Sequence, residues 1–202
     1  DVKLKQYSDS PNSNNPTRIM ETGEFISNTI IKAKDLGIPK EINFNYNNSI
    51  INLVTGTKQF DLTSKFGSVT IQKSFMFNSD SYGIEQQIVV YNKSNSNLVF
   101  RVFEESIGQV DAAEHNVMGY FLGEDMEKVD SPPSETEKII GNIDWYGFSK
   151  KYFLASNILS NTDEKTLKYS KYSKSSIRSV LSYKTINLMP GASYTTSSTI
   201  FL

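Results

Sequence analysis

The chain has 202 residues, 38% of them hydrophobic and 21% charged, with a formal net charge of -1. That length supports a real core, burying about 70% of the surface an unfolded chain exposes, and the charge balance gives no bulk attraction to nucleic acid. No run of eighteen apolar residues is present to cross a bilayer, and the absence of cysteine excludes disulfides, thiolate catalysis and Cys-based zinc sites together.

Residues 9–16, DSPNSNNP, hold two prolines and no apolar side chain, which predicts a flexible lead-in over residues 1–18. From Glu41 the pattern alternates. Ile42, Phe44 and Tyr46 share one side, Asn47-Asn48 marks a turn, and Ile51 with Leu53 resumes, so a hairpin is expected. In SVTIQKSFMF, Val69, Ile71, Phe75 and Phe77 share one face of a strand, and Thr70, Gln72 and Ser74 take the other. Tyr82, Ile84, Ile88 and Val90, with Gln86 among them, share a face of the next strand, and LVFRVFEES supplies a third. The Asn/Ser turns between these segments predict a three-stranded antiparallel meander with one buried face.

The segment from Asp111 fits a short helix with Asp111 as N-cap and Glu114 as its box-like partner, while Val117 and Gly119 speak against it. Residues 124–138, EDMEKVDSPPSETEK, are acidic and broken by Pro132-Pro133, which predicts an exposed loop. Next, GNIDWYGFSKKYFLASNIL at 141–159 gathers Trp145, Tyr146, Phe148, Tyr152 and Phe153. A buried aromatic withdraws about 150–250 Å² from water, so most of these side chains are expected in the core. Trp145, Phe148 and Tyr152 fall at helical spacing, which predicts a short turn or helix around DWYGFSKK leading into a strand YFLASNIL. VLSYKTINL and TTSSTIFL read as closing strands around a Pro190-Gly191 turn. Roughly ten strands with polar turns argue for a sandwich of antiparallel sheets, with a closed barrel as the alternative.

Few residues offer chemistry. His115 is the only histidine and stands beside Asp111 and Glu114, so neither a catalytic zinc site nor a Ser-His-Asp hydrolase is supported. Glu104-Glu105 and Glu124-Asp125 are adjacent carboxylates, but acid/base work needs a set separation across a cleft. Phosphate-cradling and calcium-loop patterns are absent from the sequence. Lys165, Lys168, Tyr169, Lys171, Tyr172, Lys174 and Arg178 interleave basic and aromatic residues. The acidic segment 124–137 balances them, which favours a solvated hairpin face over nucleic-acid binding. Beside a membrane, the functional version of that strip is contact between acidic lipid headgroups and Lys165, Lys168, Lys171 and Lys174.

Three stretches together resemble the YidC membrane protein insertases of bacteria with two membranes, in their large periplasmic domain. They are VTIQKSFMFNSDSYGIEQQIVVYNKS, then GNIDWYGFSKKYFLASNIL with Trp145, Gly147, Tyr152 and Phe153 in motif positions, and LSYKTINLMPGASYTTSSTIFL. The likeness covers roughly residues 20–202 and is weakest before 60 and between 105 and 140. It implies a mainly all-β domain over 19–202, a galactose-mutarotase-like β-supersandwich with short helical elements near its C-terminal end. It implies a location at the periplasmic face of the inner membrane, in a parent that inserts and folds membrane proteins alone or beside the Sec translocon. In that reading residues 1–18 lead in from a first transmembrane helix, the motif residues are structural, and no cofactor or metal is involved. The implied partners are SecDF, SecYEG and nascent membrane proteins, with no nucleic acid. Because the implied fold is shared with sugar epimerases, a carbohydrate-binding or epimerase-like protein is the alternative, although fold alone does not carry function.

Overall fold

The computed structural model describes residues 3–8, 16–18, 24–34, 36–39, 41–45, 53–150, 153–160 and 163–202, and its regular elements are all strands. In chain order they are β1 (Lys3–Ser8), β2 (Pro16–Arg18), β3 (Phe25–Ala33), β4 (Thr57–Phe66), β5 (Val69–Asn78), β6 (Gly83–Asn92), β7 (Leu98–Gln109) and β8 (Asn116–Leu122). Then follow β9 (Asp125–Val129), β10 (Glu137–Gly141), β11 (Ile143–Lys150), β12 (Phe153–Leu159), β13 (Lys165–Ser173), β14 (Ser176–Ser182), β15 (Ile186–Leu188) and β16 (Ser193–Phe201). β1 and β2 pair as a small antiparallel sheet. Eight strands form one large sheet in the order β4-β5-β6-β16-β12-β11-β8-β9. The other sheet runs β10-β13-β14-β7, with β15 following β14 along one edge of β7 and β3 on its other edge.

The period-two alternation of strand side chains builds the core. β7 turns Phe100 and Val102 inward from the six-stranded sheet, and β13 and β14 add Leu167 and Leu181. Ile71, Ile88, Val90, Met118 and Tyr146 meet them from the eight-stranded sheet. Ring contacts cross the layer: Phe100 meets Tyr194 edge-on at 5.6 Å between centroids, and Tyr120 lies 6.2 Å from Tyr169. Two tight hairpins, β4-β5 and β8-β9, place Gly67 and Gly123 at φ of 56° and 67°. Two-residue hairpin turns favour glycine at such angles.

Several expectations change. β5 and β6 pair as predicted, but β7 leaves their sheet for the opposite one, and the meander is β4-β5-β6 instead. The crossover is pinned by the fully buried Asn92. Its Nδ2 donates to Ser96 O at 2.8 Å and Leu188 O at 3.0 Å, and its Oδ1 accepts from the Ser94 hydroxyl at 2.6 Å. Of the hairpin expected at 41–53, residues 41–45 make one isolated bridge, Asn45 to Thr63, and residues 46–52, with its turn and nearly all of its second strand, lie outside the described residues.

DWYGFSK, residues 144–150, lies in strand β11, with Tyr146 and Phe148 buried inward, and no short helix occurs near the C-terminal end among the described residues. The helical spacing of its aromatics is a coincidence of dense packing. At 111–115 the chain makes a turn in which Asp111 Oδ1 accepts from Ala113 N, and no helix follows. The acidic segment 124–138 is exposed but partly extended, supplying β9 at the edge of one sheet and the start of β10 at the edge of the other.

Candidate functional site

β3 carries a bulge between Phe25 and Asn28, which takes the carbonyls of Ile26 and Ser27 out of its ladder with β7. Buried backbone carbonyls need donors, and polar side chains supply them from around the core. Ser106 Oγ and Asn157 Nδ2 both donate to Ile26 O, the latter at 2.9 Å. Lys73 Nζ donates to Ser27 O at 3.3 Å and to Ser27 Oγ at 3.1 Å. Ser27 Oγ donates in turn to Glu104 Oε2 at 2.6 Å, and Thr29 Oγ1 donates to Glu104 Oε1 at 2.8 Å. Lys73 and Glu104, 4.0 Å apart and both buried, are thus an ion pair bridged by one serine hydroxyl. Burial lowers the Lys73 pKa, and the Glu104 carboxylate opposes that shift.

The same interior raises several phenols. Burial, aided by Tyr169 and Glu127, pushes Tyr120 up to about 12, and burial beside Glu104 pushes Tyr146 and Tyr183 higher still. An unfolded tyrosine ionises near pH 10. Above that pH the folded chain holds protons that the unfolded chain has lost, so stability falls as pH rises. Alkaline titration followed by phenolate absorbance is expected to show these three tyrosines ionising only as the fold is lost; their ionisation within an intact fold would contradict the packing described.

Glu104 and Glu105 are consecutive in β7, so their side chains leave opposite faces and cannot act as an acid/base pair. Glu105 points outward to an ion pair with Arg178 of β14 and accepts from Asn28 Nδ2 at 2.9 Å. That outer face of the six-stranded sheet holds a groove. One part, of about 440 Å³, crosses β3, β7, β14 and β13: Ile30, Phe103 and Val180 form its floor, and Lys32 and Lys168 stand at its ends. Lys32 Nζ lies 5.3 Å from the Phe103 ring centroid. A second part, of about 630 Å³, shares Ser170 and Arg178 and extends past Glu105 and Ile107 to Lys171 and Tyr172. The outer face of the eight-stranded sheet bears a smaller depression of about 290 Å³, lined by Gln59, Ser74, Gln87, Ser197 and Thr199, with Glu85 its one charged residue.

The basic strip is divided by strand alternation. Lys165 is buried, donating from Nζ to Asp163 O at 2.9 Å, and burial lowers its pKa, so it is not available to a lipid surface. Tyr169 also faces the core. Lys168 points into the groove, and Lys171, Tyr172 and Lys174 are exposed toward the β13-β14 turn. His115 sits exposed in the 111–115 turn at φ 57°, and Glu124-Asp125 are exposed at the β8-β9 turn.

Of the family-motif residues, Trp145 is half-buried on the outer side of β11. A Cβ on Gly119 of β8 would lie 3.1 Å from its ring. Gly147 is buried where the β12 backbone presses on it, Phe153 opens β12, and Tyr152 lies outside the described residues.

Two packed antiparallel sheets with a groove on one outer face define an all-β sandwich of the galactose-mutarotase-like type. Solved structures share this fold at 8–10% identity. An α-galactosidase from Lactobacillus brevis aligns at TM-score 0.57 and 10% identity, over 92% of this chain and 27% of its own. A TPR-domain containing protein from Parabacteroides distasonis aligns at 0.59 and 8%, over 92% and 39%. A putative aldose 1-epimerase from Escherichia coli K12 aligns at 0.51 and 10%, over 71% and 64%. Such low identity speaks for the fold alone.

The sequence itself is more specific: residues 1–202 match the YidC periplasmic domain, and the chain belongs to that family. Curated relatives include the membrane protein insertase YidC of Syntrophus aciditrophicus, 28% identical over 122 residues, covering 57% of this chain and 22% of that protein. The one from Pelobacter propionicus is 25% identical over 181 residues, covering 85% and 33%. The chain therefore spans between about a fifth and a third of the length of these relatives. It is a periplasmic domain of the membrane-insertase family, and among its described residues no helix is long and apolar enough to cross a membrane.

Proposed function

We propose that this domain is a non-catalytic contact module of a YidC-type insertase, a parent that assists insertion and folding of inner-membrane proteins, alone or with SecYEG and SecDF. In this reading residues 1–18 lead in from a first transmembrane helix, and 19–202 form the module at the periplasmic face of the membrane. The observation that carries the proposal is the groove on the six-stranded sheet, an open concavity with an apolar floor and cationic ends set on hydrogen-bonded strands. Concave, partly apolar surfaces on rigid elements are where proteins take partners. The lining suits binding more than proton transfer: Glu105 is held by Arg178, Glu41 is the second part's other carboxylate, and the remaining lining charges are lysines. Acidic lipid headgroups form a second contact, made by exposed Lys171 and Lys174 flanking Tyr172, with Lys168 turned to the groove and Lys165 excluded by burial. The test is photo-crosslinking from position 103 in the full-length insertase. Capture of nascent membrane proteins is expected, and failure to capture them would count against the module reading.

A further inference from the structure

The groove has a definite charge pattern. Lys32 on β3 and Lys168 on β13 stand three strand spacings apart across the sheet, and the register that aligns Lys168 with Val180, Glu105 and Asn28 sets them four residues apart along it, so their backbones lie about 20 Å apart, with Ile30, Phe103 and Val180 between them. Lys168 is exposed and has no carboxylate partner among the described residues, whereas Arg178 is already engaged by Glu105. Ammonium groups at both ends of an apolar floor fit a ligand whose carboxylates flank an apolar group. In an extended polypeptide, residues i, i+2, i+4 and i+6 face the same way, and i to i+6 spans about 20 Å. Acidic residues at i and i+6 around apolar residues at i+2 and i+4 therefore match the spacing of Lys32, the floor and Lys168.

We propose that this groove binds extended polypeptide segments poor in Lys and Arg, carrying Asp or Glu on either side of a short apolar stretch. The proposal rests on the module reading above and names the substrate class. Loops retained on the cytoplasmic side of a membrane protein are enriched in Lys and Arg, so the segments that cross are depleted in them. A cationic groove on the receiving side discriminates by sign, because a basic loop meets like charge there.

The probe is a fluorescein-labelled fifteen-residue peptide with a Glu-Ser-Leu-Ser-Leu-Ser-Glu centre in a Gly/Ser background. Comparison peptides carry Lys-Ser-Leu-Ser-Leu-Ser-Lys or Glu-Ser-Ser-Ser-Ser-Ser-Glu, and binding to the 202-residue chain is read by anisotropy. The acidic-apolar peptide is expected to bind about tenfold tighter than the basic one, with affinity falling as salt rises. Lys168→Glu and Lys32→Glu are each expected to weaken it about fivefold, while Lys174→Glu, outside the groove, leaves it unchanged. Lys168→Gln, with its thermal midpoint compared to the parent chain, guards against a folding defect. Equal affinity for acidic and basic peptides, or no loss in folded Lys168→Glu and Lys32→Glu, would overturn the proposal. Binding only to phosphatidylglycerol vesicles, lost in Lys168→Glu, would overturn it too and assign the groove to lipid. Crosslinks from position 103 that ignore substrate charge would defeat this inference alone. Peptide binding without crosslinks in the parent would defeat the module reading and leave the groove chemistry standing.

Discussion

Lys73→Met is expected to lower the unfolding free energy by about 3–5 kcal/mol, the usual result of removing one partner from a buried ion pair. The methionine fills similar space, so the loss comes from electrostatics and hydrogen bonding. Glu104 keeps its bonds from Ser27 and Thr29 but loses the cation balancing its charge, and Ser27 O loses its donor from Lys73. The double variant Lys73→Met/Glu104→Gln removes both charges, and replacing a buried pair as a unit is often near neutral. It is expected to recover more than half of the loss, with urea midpoints as the readout. If the double variant is as unstable as the single, the pair is not the source of the effect, and the β3 bulge must depend on Lys73 through its hydrogen bonds alone.

Gly147→Ala is the second large effect. A Cβ at this position would lie 2.2 Å from Ala155 O and 2.6 Å from Ser156 Cα, both backbone atoms of β12. No rotamer change relieves an overlap with backbone, so β11 and β12 must part, disturbing the middle of the eight-stranded sheet. A cost of about 3 kcal/mol or more is expected, at the high end for overpacking. Gly119→Ala meets only the rim of the Trp145 ring at 3.1 Å and is expected to cost about 1 kcal/mol. Gly37, where a Cβ would meet nothing within 4 Å, is the near-neutral control. Urea unfolding of the three variants ranks them, and a Gly147→Ala chain as stable as Gly37→Ala would refute the close approach. The motif's glycine thus has a physical reason: the position requires the absence of a side chain.

The sandwich was legible because alternation is a local signal. Val69, Ile71, Ile88 and Val90 all point inward as their spacing requires. The buried lysine left a signal of the same kind, for Lys73 shares the parity of Ile71 and Phe75; a charged residue in the middle of an inward row is the signature of a partner across the core. The aromatic segment misled because adjacent positions are both large, so helical and strand spacings fit it equally until pairing with β8 and β12 decides. The destination of β7 was hidden for a different reason, since an Asn/Ser turn serves a hairpin or a crossover and only the contacts of Asn92 with Leu188 O distinguish them. The strands β3 and β4 gave no clear local signal because polar residues interrupt their apolar rows. The groove was beyond local reading. Its floor joins Ile30, Phe103 and Val180, brought together only by the pairing of β3, β7 and β14.

The central claim is that the outer face of the six-stranded sheet is the working surface. It is tested most directly by placing the photo-crosslinker benzoylphenylalanine at Phe103 in the groove, or at Gln87 on the outer face of the other sheet, in the full-length insertase. Light is predicted to join nascent membrane proteins to position 103 and to leave position 87 unlabelled. Equal labelling at both positions, or labelling at 87 alone, would contradict the account.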